Sequence, residues 1–189
     1  MKQKTAVRLA AALVAAALCT PFLYHNAYPI ELNQATLPGH IADFYSETPA
    51  PAITVYDVVE LGNRAWCLME WGEELGYVSL EKGLNGRYRI NHLAWGSGNF
   101  REGIVEIDGT KYLLFGGRDI TGQIARISVT IDHAPYEFTL PAGTTHFLRY
   151  TEVDSRVTDR HIDRGQVRLY NAAGEDIRSH YNLGGGGLQ

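Results

Sequence analysis

The chain has few cysteines, few basic residues and few long apolar runs, and each shortage excludes a class of protein. It holds 2 cysteines among 189 residues, which excludes a small domain held together by several disulfides. Its 17 Lys and Arg against 21 Asp and Glu give a net charge of -4. This balance argues against a nucleic acid partner, because phosphate contacts need a basic surface.

One long run without charge stands at the N-terminus, where it has the pattern of an export signal. Three basic residues within positions 2–8 precede residues 9–24, which carry no formal charge, and a basic start followed by an apolar run directs export. The run is shorter than the roughly 20 apolar residues that cross a bilayer, so a cleaved signal peptide and a retained anchor both stay open. We favour the anchor, with the basic end inside, because Cys19 and Pro21 make a poor cleavage site.

The region after this signal divides into a linker and one domain. Four of the seven prolines, Pro29, Pro38, Pro49 and Pro51, fall within residues 25–51, which predicts a Pro-containing linker. Residues 52–183 have the size of one ordinary domain, and residues 184–189 form a Gly-rich tail expected to be flexible. The expected order is therefore signal peptide or signal anchor (1–24), linker, β domain and tail.

Alternation of apolar and polar residues predicts strands almost throughout the domain. It is clearest in residues 124–131, where Ile127, Val129 and Ile131 alternate with Arg126, Ser128 and Thr130. The other predicted strands are 53–61, 65–71, 76–80, 87–91, 104–107, 111–115, 136–140, 145–153 and 166–170. No sustained helical stripe follows the linker, which argues against a parallel nucleotide-binding fold. We predict an all-β, antiparallel sandwich, Ig-like or jelly-roll-like, preceded by an N-terminal hydrophobic helix and the linker.

The sharpest local signal is Asp108-Gly109 between Ile107 and Thr110. Asp-Gly supplies the positive φ angles that a two-residue type I′ hairpin requires. The turn places Ile107 opposite Thr110, Glu106 opposite Lys111 and Val105 opposite Tyr112. The predicted core face then carries Val105, Ile107, Tyr112 and Leu114.

Two segments of this domain carry a family resemblance. Residues 80–90 (LEKGLNGRYRI) and 103–119 (GIVEIDGTKYLLFGGRD) resemble uncharacterised signal-anchored β-domain proteins of Gram-positive bacteria. The resemblance covers the central part of the chain. It implies export and a β domain, and it implies no activity and no catalytic residues.

A charged stretch near the C-terminus offers a candidate metal site. Asp159, His161 and Asp163 occupy alternate positions, so they would share one side of an extended segment. A histidine with carboxylates suits Zn²⁺ or Mn²⁺. Arginines at 156, 160, 164 and 168 interleave with these acids, however, and a self-paired, solvated face is the alternative. We therefore expect no cofactor and keep these three residues as the metal hypothesis.

Two strand ends carry the candidate ligand-binding residues. Trp95 and Phe100 flank Gly96-Ser97-Gly98, where a loop aromatic can stack on a sugar ring or dock a protein. Arg118 and Asp119 end another predicted strand, and a turn pair is the alternative for them. Cys67 lies in an apolar strand and is expected to be a small buried hydrophobe rather than a nucleophile.

The leading functional prediction is a membrane-anchored, extracytoplasmic binding domain without catalysis. It would sit at the cell membrane with a single pass and its C-terminal domain outside, or be secreted if the signal is cleaved. Its partner would be a protein or a cell-envelope component, and its membrane contact would come through the N-terminal segment only. Two alternatives stay open, an envelope hydrolase with a metal or acid/base site that the sequence does not reveal and an assembly protein that uses a sheet edge.

Overall fold

A computed structural model describes residues 23–45, 51–158 and 162–184. In these residues the chain forms the helix α1 (Leu37–Tyr45) and strands that pair antiparallel. The strands are β1 (Ile53–Leu61), β2 (Arg64–Trp71), β3 (Glu74–Lys82), β4 (Tyr88–Gly96), β5 (Phe100–Ile107), β6 (Thr110–Arg118), β7 (Arg126–Ile131), β8 (Ala134–Thr139), β9 (His146–Val153) and β10 (Val167–Tyr170). The predicted all-β class with antiparallel sheets is confirmed.

The strands form three sheets, with the middle one covered on both faces. Sheet A has the order β1-β2-β3-β4, sheet B the order β5-β6-β9, and sheet C the order β10-β7-β8. Leu114 of β6 packs with Trp66 of sheet A, whereas its neighbour Leu113 packs with Ile127 of sheet C. Successive side chains of a strand point to opposite faces, so sheet B lies between the other two. The predicted Ig-like or jelly-roll-like type of sandwich is not confirmed.

A pair of glycines in β6 leaves room for side chains of the neighbouring strands. A Cβ at Gly117 would lie 2.5 Å from Phe100 Cδ1 and 2.7 Å from Phe147 Cζ, both in the core between sheets B and C. A Cβ at Gly116 would lie 3.0 Å from Leu148 Cδ1 on the opposite face. Real Cβ atoms are essentially never found as close as the contacts at Gly117, so this position requires glycine, whereas a side chain at Gly116 would need a neighbour to shift.

The hairpin between β5 and β6 has the predicted register. Ile107 pairs with Thr110, and the two preceding positions pair as predicted with Lys111 and Tyr112. Asp108 and Gly109 have φ angles of 50° and 83°, as a type I′ turn requires. The predicted core face lies against sheet A, where Val105, Ile107 and Leu114 are buried and Tyr112 packs beside them.

Part of the segment predicted as a linker covers the outer face of sheet A. Ile30 pairs with Tyr88 of β4, and Leu37 and Ile41 of α1 are fully buried. They pack in one cluster with Cys67, whose thiol has its pKa raised by burial, in keeping with an inert hydrophobic role. Sheet A is apolar on both faces, so its outer face needs a covering element.

The predicted signal segment lies almost entirely outside the described residues, which begin at position 23, and of the predicted tail only residue 184 is described. Among the residues that the structure describes, no helix has the length and apolar character needed to cross a bilayer.

Candidate functional site

Only one of the three predicted metal ligands lies in the described part of the chain. Asp159 and His161 fall outside it. The Asp163 carboxylate accepts a hydrogen bond of 2.8 Å from the Gly165 amide and lines a cavity of about 240 Å³ with Asp132 and His133. Within residues 23–45, 51–158 and 162–184 no three metal-binding side chains come together. The metal site stays a prediction.

The four predicted ligand-binding residues separate into different surroundings. Phe100 is 1% exposed in the core between sheets B and C, whereas Trp95 lies on the outer face of sheet A. Arg118 reaches from β6 toward sheet A, where its Nη1 donates to Glu70 Oε1 at 2.8 Å and to the Glu73 carbonyl at 3.1 Å. The structure therefore does not bring the four together in one site.

Asp119 is fully buried and organises the turn that follows β6. Its carboxylate accepts hydrogen bonds from the Ile124 amide at 2.7 Å, from the Thr121 hydroxyl at 3.0 Å and from the Tyr181 hydroxyl at 2.6 Å. Burial alone would raise the pKa of Asp119, but these bonds outweigh it and the pKa lies below its ordinary value. The Asp119 carboxylate is therefore engaged in hydrogen bonds within the protein.

Trp95 belongs to a cluster of three aromatic rings at one end of sheet A. Its ring stacks on Trp71 with centroids 4.7 Å apart and planes at 16°. Tyr45, the last residue of α1, sets its edge against both rings at centroid distances of 5.0 Å. Tyr45 is 38% exposed, and the preceding Phe44 is 52% exposed. We call Tyr45, Trp71 and Trp95 the aromatic cluster.

A buried arginine fixes the turn beside this cluster. Arg101 is fully buried, and its guanidinium donates to the carbonyl oxygens of Gly96 at 2.7 Å, Phe100 at 2.6 Å and Gly98 at 3.3 Å, and to that of Leu75. Burial lowers the pKa of Arg101. The side chain thereby joins β3, the end of β4 and the turn at Gly96. Sequence reasoning missed this role, because an arginine in a strand ordinarily faces water.

A polar cluster occupies the same end of the molecule, between sheets A and B. Glu70 of β2 accepts from the Tyr56 hydroxyl at 2.6 Å and from Arg118, and its Oε1 lies 3.2 Å from His146 Nε2. The imidazole of His146 lies flat on the Tyr56 ring, with centroids 3.6 Å apart and planes at 2°. An irregularity in β1 between Val55 and Asp57 leaves Tyr56 out of the register, which is how a bulge re-aims a side chain.

Electrostatics in this polar cluster favour an ionised Glu70. Burial raises the pKa of Glu70, but hydrogen bonds from Tyr56, Arg118 and His146 more than offset it, and the pKa falls below its ordinary value. Burial and the neighbouring carboxylate raise the pKa of Tyr56 to about 12, so its hydroxyl stays protonated and donates. With Nε2 donating to Glu70, Nδ1 of His146 is the acceptor, 3.3 Å from Thr145 Oγ1.

Glu102 is a further buried carboxylate, on the face of β5 opposite Arg101. It is 7% exposed, and its Oε1 lies 3.7 Å from Arg164 Nε. Burial raises the pKa of Glu102 to about 7, against the lowering effect of Arg164. Its charge therefore changes near neutral pH.

Comparisons of the chain with protein-family models, with curated proteins and with solved structures found no match. The resemblance carried by residues 80–90 and 103–119 stays a prediction.

Proposed function

We propose that the protein is an extracytoplasmic β-sandwich module, held at a membrane by its N-terminal segment, that binds a protein or cell-envelope component without catalysis. The observation that carries this proposal is the aromatic cluster. Tyr45 and the adjacent Phe44 are exposed, and the Tyr45 ring stands beside the Trp71 and Trp95 stack. Tryptophan and tyrosine are the side chains most enriched where binding energy concentrates, since they bring a large area at low entropic cost.

Rigidity of the cluster supports a binding role. Trp71 and Trp95 lie on the two strands that flank β3. Trp71 of β2 pairs with Glu74, and Trp95 of β4 pairs with Gly76. A Cβ at Gly76 would lie 2.9 Å from Trp95 Cβ, so the indole packs directly over the β3 backbone. Arg101 holds the carbonyl of Gly96, the next residue. Aromatic rings fixed before binding lose little freedom when a ligand arrives.

The proposal is tested with isolated cell-wall peptidoglycan, which sediments and carries bound protein with it. The detergent-solubilised full chain is expected to co-sediment, and Phe44→Ala and Trp95→Ala are each expected to raise the dissociation constant about tenfold, the effect of ~1.4 kcal/mol of lost contact. Tyr150→Ala is the matched control, because Tyr150 is an exposed aromatic residue outside the cluster. Equal binding by all variants would exclude the cluster as the site.

A protein partner is the other form of the same proposal. A photocrosslinking amino acid at position 44 would give a discrete adduct in cells, and Trp95→Ala would abolish it. The same amino acid at position 150, exposed but outside the cluster, should give no such adduct. Absence of both wall binding and a position-specific adduct would reject a binding role for the aromatic cluster.

An envelope hydrolase is the second candidate, and the contact of Glu70, His146 and Thr145 favours it. The carboxylate holds Nε2, and Nδ1 faces the exposed Thr145 hydroxyl, the order of groups in a nucleophile, base and orienting acid. Hydrolysis of wall fragments that is lost in His146→Gln and Thr145→Ala, but kept in Thr144→Ala, would support this role. Thr144 is a fair control because its hydroxyl bonds the Pro141 carbonyl instead.

A further inference from the structure

The N-terminal part of the described chain is joined to the turn between β3 and β4. The Leu84 amide donates to the Tyr24 hydroxyl at 2.8 Å, and the Asn85 side chain donates to the Tyr28 carbonyl at 3.3 Å. Tyr28 covers Gly83 so closely that a Cβ there would lie 2.7 Å from the ring. Tyr24 and Tyr28 also stack on each other, with centroids 4.9 Å apart. The point where the uncharged run 9–24 ends is therefore fixed beside this turn.

Large apolar side chains face outward at this place. Leu84 is 98% exposed and Leu23 is 64% exposed. A single exposed leucine needs no explanation, but here two of them flank stacked tyrosines at the end of an apolar segment. Aliphatic side chains that project past tyrosines are the composition of a surface that meets the interfacial layer of a membrane.

Three cations around the turn are paired with acids. Lys82 lies 3.7 Å from Glu60, Arg89 lies 2.6 Å from Glu81, and Arg87 pairs with Glu31. Each of these three cations has an acid, so the pairs themselves offer little net attraction to anionic headgroups. Contact with lipid would depend on the apolar and aromatic groups.

We infer that the turn between β3 and β4 is a membrane-contacting tip, with Leu84 inserted among the lipids beside the N-terminal segment. This inference rests on the membrane attachment proposed above and names the surface of the domain that faces the bilayer. It commits to a neutral lipid surface as the partner.

The tip also sets which end of the domain points away from the membrane. Strand β4 runs from Tyr88, near the tip, to Gly96. At about 3.4 Å per residue, Trp95 lies roughly 24 Å along this strand from Tyr88. Arg118 contacts the Glu73 carbonyl, at the end of β3 opposite Leu84. Both clusters are thereby presented at the end of sheet A remote from the bilayer.

The inference is tested with the full chain in phosphatidylcholine vesicles, using one reactive cysteine at a time. Cys19→Ser removes one thiol, and Cys67 is fully buried with a raised pKa, so it stays unlabelled. Leu84→Cys and the control Ile120→Cys, in the loop after Arg118, are labelled with a polarity-sensitive fluorophore. Ile120 is 65% exposed, so both labels project from exposed side chains and leave the core unchanged.

The fluorescence emission of the label at position 84 is expected to shift to the blue. Nitroxide lipids should quench this label about twofold or more compared with the label at 120, as for a group within the headgroup and acyl boundary. Raising NaCl from about 0.1 M to about 1 M should leave this difference unchanged, because the contact is not electrostatic. If the chain floats with the vesicles but the labels at 84 and 120 are quenched equally, the membrane-contacting tip is rejected and the proposed membrane attachment is not. A chain that does not float overturns both the proposed attachment and the tip.

Discussion

The imidazole of His146 and the carboxylate of Glu70 meet with Nε2 and Oε1 3.2 Å apart, although the two residues are 76 positions apart in the chain. They come from different sheets, Glu70 from β2 of sheet A and His146 from β9 of sheet B. Arg118 of sheet B reaches the same carboxylate. Glu70 is therefore a connection between the two sheets as well as a candidate orienting acid.

Removal of the Glu70 charge should destabilise the domain more than removal of a surface charge. Glu70 is only 17% exposed, and Glu70→Gln weakens its bonds with Tyr56, Arg118 and His146, so we expect a loss of about 1–3 kcal/mol in the free energy of unfolding. The control Glu81→Gln breaks the more exposed pair with Arg89 and should cost less than about 1 kcal/mol. Urea unfolding measures both. Equal losses would show that the Glu70 network adds nothing to stability.

Glu102 should make the domain less stable as the pH rises toward neutrality. Its pKa is raised from 4.5 to about 7 in the folded protein, so between these values the folded state binds more protons than the unfolded state. The contribution of Glu102 to the free energy of unfolding is therefore largest below pH 4.5, and it is lost as the pH rises through about 7. Glu102→Gln should flatten this part of the stability curve. The exposed Glu106 serves as the control, since Glu106→Gln should leave the slope unchanged.

Arg101 should be irreplaceable even by lysine. Lys keeps the charge but cannot span carbonyl oxygens on β3, β4 and the intervening turn with a planar fork of donors. We expect Arg101→Lys to lower the free energy of unfolding by about 2–5 kcal/mol, because buried carbonyls lose their donors. Arg156→Lys is the control, since that side chain is 88% exposed and should leave the unfolding midpoint nearly unchanged. Thermal unfolding measures both variants, and equal unfolding temperatures would show that the Arg101 hydrogen bonds add nothing to stability.

Two glycines should respond to alanine in opposite directions. Gly117→Ala would force a methyl group into the rings of Phe100 and Phe147 and should destabilise by about 1–3 kcal/mol or more. Gly39 lies within α1 with open space at its Cβ position, so Gly39→Ala should stabilise by up to about 1 kcal/mol. The denaturant midpoints of the two variants show whether each substitution stabilises or destabilises the domain. Stabilisation by Gly117→Ala would contradict the close packing of Phe100 and Phe147 over Gly117.

Strand positions and the hairpin register were predictable because they depend on local chemistry. The predicted strand 53–61 coincides with β1, and the Asp108-Gly109 turn gave the correct pairing of β5 with β6. Strand β4 extends well beyond the predicted 87–91, because Trp95 packs on the outer face of sheet A without an alternating pattern before it. Leu113, Leu114 and Phe115 are all buried because sheet B is covered on both faces, which the period of two alone does not predict.

The two clusters were less predictable. Trp95 was singled out by its place at a strand end, but its partners Trp71 and Tyr45 come from another strand and from a helix in the predicted linker. A helix as short as α1 gives few turns of periodic pattern to read. The polar cluster joins side chains from β1, β2, β6 and β9, and no local spacing connects them.

Residue order alone determined that this chain is antiparallel β, where most strands lie and how one hairpin is aligned, because side-chain alternation and turn chemistry act between near neighbours. Only the tertiary structure decided that sheet B lies between two others, that Arg101 is buried among carbonyl groups, and that Glu70, His146 and Tyr56 meet. Those contacts form when separate strands pack face to face, and their free energy depends on distances that no short stretch of sequence contains.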